Sequence, residues 1–413
     1  MSMSMAATHA VNRTVYDPIF IANAACKEAV KIHGKDKVIN ATIGVVLDEE
    51  GKLAVLPTVE KIFRETPLTD FASYAALLGN AEYTDAVKNI IFGENKCEGY
   101  FGAVATAGGT GAIHHAIANY AERGDAVLTS DWCWGNYKTI CAETGKRLET
   151  FKLFNDELTR FNVTAFSDKV ESLLTAQNSL LVILNTPAHN PTGYALSIDE
   201  WENVLEILKS HAAKGKKISL LVDIAYIDFA GEKNIAWSFV DKLADLPPNL
   251  LTMFSFSMSK SYTFYGQRTG ALAAYSSDEN VIKEFEDTNK FSCRAVWSNV
   301  NNGAQVICAK LYRDKNLRDS LEKDQAALRE LVNKRAEIFV DEAQSCGLQI
   351  VPYKGGFFIA VPSDNPVAVC EELKKDLIFA VPLQYGIRVA ACSMPLNKIP
   401  GVATKMKAAI KNV

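Results

Sequence analysis

The strongest constraint on the fold lies in the middle of the chain, where short apolar runs recur without polar alternation. They occupy residues 126–129, 180–184, 218–224 and 250–256. A strand with one face in water alternates, whereas a strand covered on both faces does not. These runs therefore predict a largely parallel sheet buried between helices. Helical patterns at 111–121, 197–213 and 236–243 supply the cover. Beyond Ser298 the pattern turns long and helical over 302–345, and strand-like runs return at 348–351 and 357–361. The fold class expected is α/β, with a large domain at 56–310. A smaller α+β domain is expected from both termini, residues 1–55 joining 311–413.

Composition narrows the function by exclusion. The chain has 413 residues, of which 48% are hydrophobic and 22% charged, with a net charge of −4. That balance offers no footprint for nucleic acid or an anionic membrane. No apolar run reaches the roughly 18 residues needed to span a bilayer. The first residues lack the basic and apolar regions of a signal peptide. Nine cysteines without Cys-x-x-Cys spacing suit reduced thiols, so a cytoplasmic location is expected. No metal is expected, because the six histidines show no ligand spacing and His114 and His115 are adjacent.

Chemistry-bearing residues cluster where the predicted strands end. Lys260 follows the 250–256 run, flanked by Ser257, Ser259 and Ser261, with Arg268 shortly after. A lysine delivered into a pocket can form a Schiff base with a carbonyl cofactor, and hydroxyls plus arginine suit that cofactor's phosphate. Considered alone, it would be a solvated surface lysine. Asp223 closes the 218–224 run, with Tyr226 three residues on. A carboxylate there is costly to bury unless paired, and a protonated pyridine nitrogen is one such partner. A helix cap is the ordinary alternative. Asn190 stands in the stiff segment Asn-Pro-Thr-Gly after the 180–184 run. Gly109 and Thr110, in Ala-Gly-Gly-Thr-Gly-Ala, open a helix whose free N–H groups could face a phosphate, although the spacing matches no P-loop. Trp132 and Trp134 could stack on a planar ring or plug the core.

In this order and combination, the segments resemble the fold-type-I pyridoxal-phosphate-dependent aminotransferases, in the aspartate/aromatic amino acid branch. The likeness runs from about Asn40 to Arg388. It implies a seven-stranded, mainly parallel sheet and pyridoxal 5'-phosphate as cofactor. Lys260 then resembles the Schiff-base lysine and proton shuttle, Asp223 the partner of the pyridine nitrogen, and Asn190 and Tyr226 the partners of the ring oxygen. Gly109, Thr110, Ser257 and Arg268 resemble the phosphate cup, and Trp134 matches the stacking tryptophan better than Trp132 does. Arg388 resembles the arginine that grips the substrate α-carboxylate, beside Asn190 and Gly44 of the N-terminal substrate loop. Tyr74 resembles a tyrosine that crosses from a second subunit to the cofactor phosphate, and Arg294 an arginine that crosses to the substrate's side-chain carboxylate, which implies a homodimer with a shared site.

The implied activity is transfer of an amino group between an L-amino acid, aspartate or glutamate and also aromatic ones, and a 2-oxo acid such as 2-oxoglutarate. The alternative on the same fold is a lyase or decarboxylase. A nicotinamide-dependent dehydrogenase lacks its Gly-x-Gly-x-x-Gly fingerprint here, and a regulator would carry a basic DNA-binding segment. Two departures from the family pattern stand out. Val300-Asn301 replaces Pro-Pro after Ser298-Asn299, and Thr42 replaces a glycine, where a β-branched side chain is expected to narrow the pocket mouth or alter the loop's closure.

Overall fold

The computed structural model describes residues 5–11, 13–14, 16–93 and 98–413. Its strands, in chain order, are β1 (Ile39–Asn40), β2 (Tyr100–Thr106), β3 (Ala126–Ser130), β4 (Arg147–Phe151), β5 (Ser179–Asn185) and β6 (Lys217–Asp223). They continue with β7 (Leu250–Ser257), β8 (Gly270–Ser276), β9 (Phe358–Pro362), β10 (Ile378–Phe379), β11 (Val381–Pro382) and β12 (Gly386–Ala390). Seven of them form one sheet in the order β2-β8-β7-β6-β5-β3-β4. Neighbours pair in parallel except at β8, which runs antiparallel to both β2 and β7.

Successive side chains of β5 show why its sequence does not alternate. Leu180, Val182 and Leu184 join the apolar core on one face of the sheet, with Trp201, Leu205 and Leu208 of the helix Ile198–Ala213. Leu181 and Ile183 join the core on the other face, with Ile113 and Ile117 of the helix Gly108–Tyr120. Burial on both faces removes the reason for polar alternation. The helix Ile198–Ala213 starts at a capping box, in which Ser197 and Glu200 satisfy each other's backbone N–H groups.

A further core gathers Ala41 with Phe339, Ile359, Val361, Val389, Ile399 and Met406. Over it lies the antiparallel sheet β11-β12-β9, with β1 paired to β10 nearby. Arg335, fully buried in the helix Lys315–Cys346, ties this region together. It donates to the Cys392 carbonyl at 2.6 Å and pairs with Glu49 at 2.6 Å. Both contacts brace segments adjoining Arg388 and the 42–46 loop.

Several elements differ from the sequence-based expectation. β2, β4 and β8 carry no strong strand signal. β4 is a partly exposed edge strand, while β2 and β8 are rich in alanine and glycine, residues depleted in strands. The 348–351 run forms no strand: Pro352 interrupts the chain, and pairing is reduced to Val351 N–H donating to the Ala360 carbonyl at 3.1 Å. The 302–345 pattern is two helices, Asn302–Arg313 and Lys315–Cys346, separated at Asp314, whose carboxylate caps the second. The 236–243 pattern is a short helix, Lys233–Trp237, continuing as the 3₁₀ turn Ser238–Leu243. The strand expected at 357–361 is shifted by one residue, as β9.

Among the described residues no helix is long and apolar enough to cross a membrane. None of their histidine, cysteine and acidic side chains cluster in threes or more as a metal site would require.

Small residues in β8 have a packing reason. A Cβ on Gly270 would lie 2.5 Å from the Phe256 carbonyl oxygen and 2.7 Å from the Gly108 carbonyl carbon. Gly270→Ala is therefore expected to destabilise the protein by about 1–3 kcal/mol. Thermal unfolding should show a lowered Tm, and an unchanged Tm would contradict this close approach.

Candidate active site

β5 and β6 end in register, beside a β7 that runs on to Ser257. Asn185 of β5 lies opposite Asp223 of β6, which lies opposite Ser255 of β7. Asn185 stitches the edge together. Its Nδ2 donates to the Asp223 carbonyl at 2.8 Å, and its Oδ1 accepts from Asn190 N–H at 2.6 Å. The loop carrying Asn190 is tightened further by His189, whose Nδ1 lies 2.7 Å from Thr192 Oγ1. An asparagine in so stiff a loop loses little entropy on ligand binding.

Next to this edge, the chain leaves β2 and enters the helix Gly108–Tyr120, whose first turn contains no acidic residue. Its free N–H groups and positive dipole end face a cleft lined by Gly109, Thr110, Ser257, Ser259 and Arg268. Gly108 has φ +69°, and a Cβ there would come within 2.7 Å of Arg268 Nη2, so only glycine permits this approach. Arg268 itself is left-handed at φ 51°. Its Nη1 donates to Ser259 Oγ at 3.1 Å and to the Tyr265 carbonyl at 3.0 Å. The donor set of arginine, hydroxyls and helix N–H groups fits a phosphate.

The same cleft contains Lys260, Asp223, Tyr226, Asn190 and Trp134. Lys260 lies in the short helix Met258–Ser261 immediately after β7. Desolvation, reinforced by the nearby Arg268 charge, lowers its pKa to about 8. Its Nζ is 5.7 Å from the Tyr226 ring centre and 5.1 Å from that of Tyr265. Asp223 is buried, and desolvation raises its pKa against opposing hydrogen bonds from Tyr137 and Ala225. Tyr137 Oη donates to Asp223 Oδ2 at 2.7 Å, and Ala225 N–H donates to Oδ1 at 3.2 Å. This buried carboxylate is bonded to neutral donors alone among the described residues, which suits a cationic ring N–H in the cleft.

Arg388, on β12, stands behind the cleft-lining Asn190 and is only 2% exposed. Its guanidinium lies 4.2 Å above the Phe358 ring centre. Nη2 donates to the Thr42 carbonyl at 2.7 Å and Nη1 to Asn190 Oδ1 at 3.3 Å, while the buried Nε has no partner. Burial lowers its pKa to about 10. A buried guanidinium bonded to neutral acceptors, with its Nε and further N–H donors unused among the described residues, suits an incoming carboxylate. Asn190 also opposes the burial that raises the Tyr226 pKa, so it acts on both side chains.

Thr42 does not narrow the mouth of the site. Its side chain is fully buried, with Oγ1 2.6 Å from Asn40 Oδ1, and only its carbonyl turns toward Arg388. The hydroxyl finds a local polar partner, which directs the β-branched group away from the cleft. The loop continues through Gly44, where a Cβ would meet Phe358 Cζ at 2.9 Å, to Val46, whose N–H donates to Tyr265 Oη at 3.1 Å.

Trp134 lines the cleft, whereas Trp132 is a core residue beside Tyr385. Trp134 also borders an adjoining cavity of about 550 Å³, walled by Tyr16, Ile19, Trp132, Leu383 and Tyr385. Tyr74 and Arg294 line neither space. Tyr74 is 89% exposed, and Arg294 lies exposed at the end of the helix Glu279–Val296, donating to Ser298 Oγ at 3.0 Å. Tyr137, Asn185 and Tyr265 had no separate signal of their own, since each depends on a distant partner.

Comparison with known proteins gives a consistent picture. Residues 36–402 match the family "Aminotransferase class I and II". The chain is 31% identical to an aromatic-amino-acid aminotransferase of Escherichia coli K12, over 71% of this chain and 73% of that one. It is 26% identical to a mitochondrial aspartate aminotransferase of Xenopus tropicalis, over 75% and 73% respectively. An aminotransferase structure from Anaerococcus prevotii superimposes with a TM-score of 0.96 at 37% identity, covering 99% of this chain and 100% of that one. An aromatic-amino-acid aminotransferase from Burkholderia pseudomallei, solved covalently bound to pyridoxal phosphate, superimposes with a TM-score of 0.80 at 22% identity, covering 99% and 100%.

The depressed lysine can be measured without any cofactor. In the ligand-free protein, acylation of Lys260 by an amine-selective reagent should reach half its maximal rate near pH 8, against the ordinary 10.5. Arg268→Leu removes a like charge and should move that midpoint upward. Peptide mapping across a pH series would read both, and a midpoint above pH 10 would contradict the desolvated environment.

Proposed function

The chain belongs to the class I and II aminotransferases, of the aspartate/aromatic type, and we propose that it transfers amino groups between L-amino acids and 2-oxo acids using pyridoxal 5'-phosphate. The proposed donors are aspartate and glutamate, with aromatic amino acids as a second group, and 2-oxoglutarate is a proposed acceptor. The observation that carries this reading is Lys260, with its lowered pKa of about 8, set between the Asp223 carboxylate and the anion-binding edge of Arg268.

When bound, the cofactor supplies an aldehyde carbon and an electron-withdrawing ring. In the proposed site Asp223 holds the ring N–H, while Asn190 and Tyr226 hold the ring oxygen. Gly109, Thr110, Ser257 and Arg268 hold the phosphate, and Trp134 stacks on the ring. Arg388 fixes the substrate α-carboxylate with its guanidinium fork, beside Gly44 and Asn190, so that the amino acid's Cα–H faces Lys260. A pKa near 8 leaves a substantial neutral fraction of Lys260 at physiological pH. Its neutral Nζ would serve as the base that takes the proton from the substrate Cα.

Acceptance of aromatic side chains rests on the 550 Å³ cavity beside Trp134, where Tyr16, Trp132 and Tyr385 offer aromatic faces among polar residues such as Asp17, Asp131 and Lys138. A homodimer is part of the proposal, with Tyr74 and Arg294 reaching the partner's site. Leu68, Tyr74 and Phe291 are 80%, 89% and 78% exposed, the kind of apolar surface that a second copy would cover.

Three variants test this reading. The purified protein with pyridoxal phosphate should absorb in the near-visible, and borohydride should fix the label on Lys260. Lys260→Ala should abolish transfer while retaining cofactor binding. Arg388→Leu should lower kcat/KM for every amino acid by roughly 10²- to 10⁴-fold, as two charge-assisted hydrogen bonds of about 1.5–3 kcal/mol each imply. Arg294→Leu should depress turnover of aspartate and glutamate while sparing aromatic donors. A colourless protein that ignores pyridoxal phosphate, or an Arg294→Leu variant equally active on aspartate, would refute the corresponding assignment.

A further inference from the structure

Building on that cofactor assignment, we propose that Tyr137 is a positioning residue that clamps the Asp223 carboxylate toward the cofactor's ring nitrogen and ties it to the Trp134 platform. Tyr137 is fully buried in the first turn of the helix Asn136–Glu143. Its phenol is the one side-chain donor bonded to the Asp223 carboxylate among the described residues, at 2.7 Å on Oδ2. Oδ1 is held separately by Ala225 N–H at 3.2 Å. With each oxygen bound on one side, the carboxylate cannot rotate without breaking a bond, and its remaining lone pairs are available to the cleft.

The same residue is built into the neighbouring aromatic loop. Tyr137 N–H donates to the Trp134 carbonyl at 3.1 Å. The two rings meet edge to face, with centres 5.6 Å apart and planes at 86°. One side chain therefore links the group facing the ring nitrogen to the group facing the ring plane.

The electrostatics point the same way. Burial drives Asp223 toward its neutral form, and the largest opposing influence is the Tyr137 hydrogen bond, ahead of Ala225 and the charge of Lys260. Loss of that bond favours a protonated acid, which no longer attracts a cationic ring N–H. Burial and the Asp223 charge also hold the Tyr137 phenol well above its ordinary pKa, so it stays a donor throughout the neutral range.

A purely packing role is separable by a binding experiment on the ligand-free protein. Tyr137→Phe keeps the ring and removes only the hydroxyl. Equilibrium dissociation constants are measured for pyridoxal phosphate and for its deaza analogue, in which carbon replaces the ring nitrogen. The clamp predicts a roughly 10- to 100-fold weaker Kd for pyridoxal phosphate, with the analogue's Kd unchanged from wild type. It also predicts that Asp223→Ala, made in the Tyr137→Phe background, weakens pyridoxal phosphate binding less than it does alone. Equal loss for both ligands indicates packing and overturns the proposal, as does an unaltered Kd for pyridoxal phosphate. If the wild-type protein binds neither ligand, the cofactor assignment itself fails and the clamp fails with it.

Discussion

The site depends on the register in which β5, β6 and β7 pair. Asn185, Asp223 and Ser255 lie side by side because the three parallel strands pair in this register, with β5 and β6 stopping there and β7 running on to Ser257. Side chains alternate between the faces of a sheet, so a slip of one residue in β6 would swing Asp223 to the opposite face. Both faces of these strands are packed with apolar side chains, which penalises any such slip. The reversed strand β8 matters for the same reason. Because it begins beside Ser257, where β7 ends, the turn before it keeps Arg268 at the edge occupied by Gly108 and Lys260.

A second feature is the imbalance of buried charge around that edge. Lys260 and Arg388 are pushed toward neutrality by burial, and so is Asp223 from the opposite sign. A chain selected for stability alone would pair these groups or replace them with apolar residues. Instead Asp223 has neutral donors, and Arg388 has a ring face, an amide and a carbonyl. Under the proposed function, cofactor and substrate bring the complementary charges, so ligand binding relieves a cost already present in the folded protein. The scaffold must supply that cost elsewhere, and the well-packed sheet and braces such as Arg335 with Glu49 do so.

Legibility differed between elements for physical reasons. The central strands could be read directly, since burial on both faces leaves unbroken apolar runs. β2 and β8 could not, because their alanines and glycines weaken the strand signal, and at Gly270 of β8 a close approach to backbone demands the small residue. The 302–345 pattern hid a break at Asp314, since amphipathic periodicity can resume after one residue without an obvious change in composition. Thr42 was read from its bulk, but its hydroxyl chose Asn40 over the cleft. Among site residues, nine that the sequence singled out line one cleft: Gly109, Thr110, Trp134, Asn190, Asp223, Tyr226, Ser257, Lys260 and Arg268. Arg388 stands immediately behind Asn190.

By itself the sequence determined the doubly covered sheet and the identity of the residues offered at its edge, because both follow from local pattern: apolar runs, and polar side chains placed where those runs stop. The tertiary structure alone decided which of these residues share a partner. Tyr137 and Asp223 are 86 positions apart, and Arg388 and Asn190 are 198 apart, yet each pair is within hydrogen-bonding distance. A hydrogen bond is a matter of a few ångströms and an angle. No spacing along the chain encodes such geometry; it arises only when strands from distant segments are brought into register and their cores have packed.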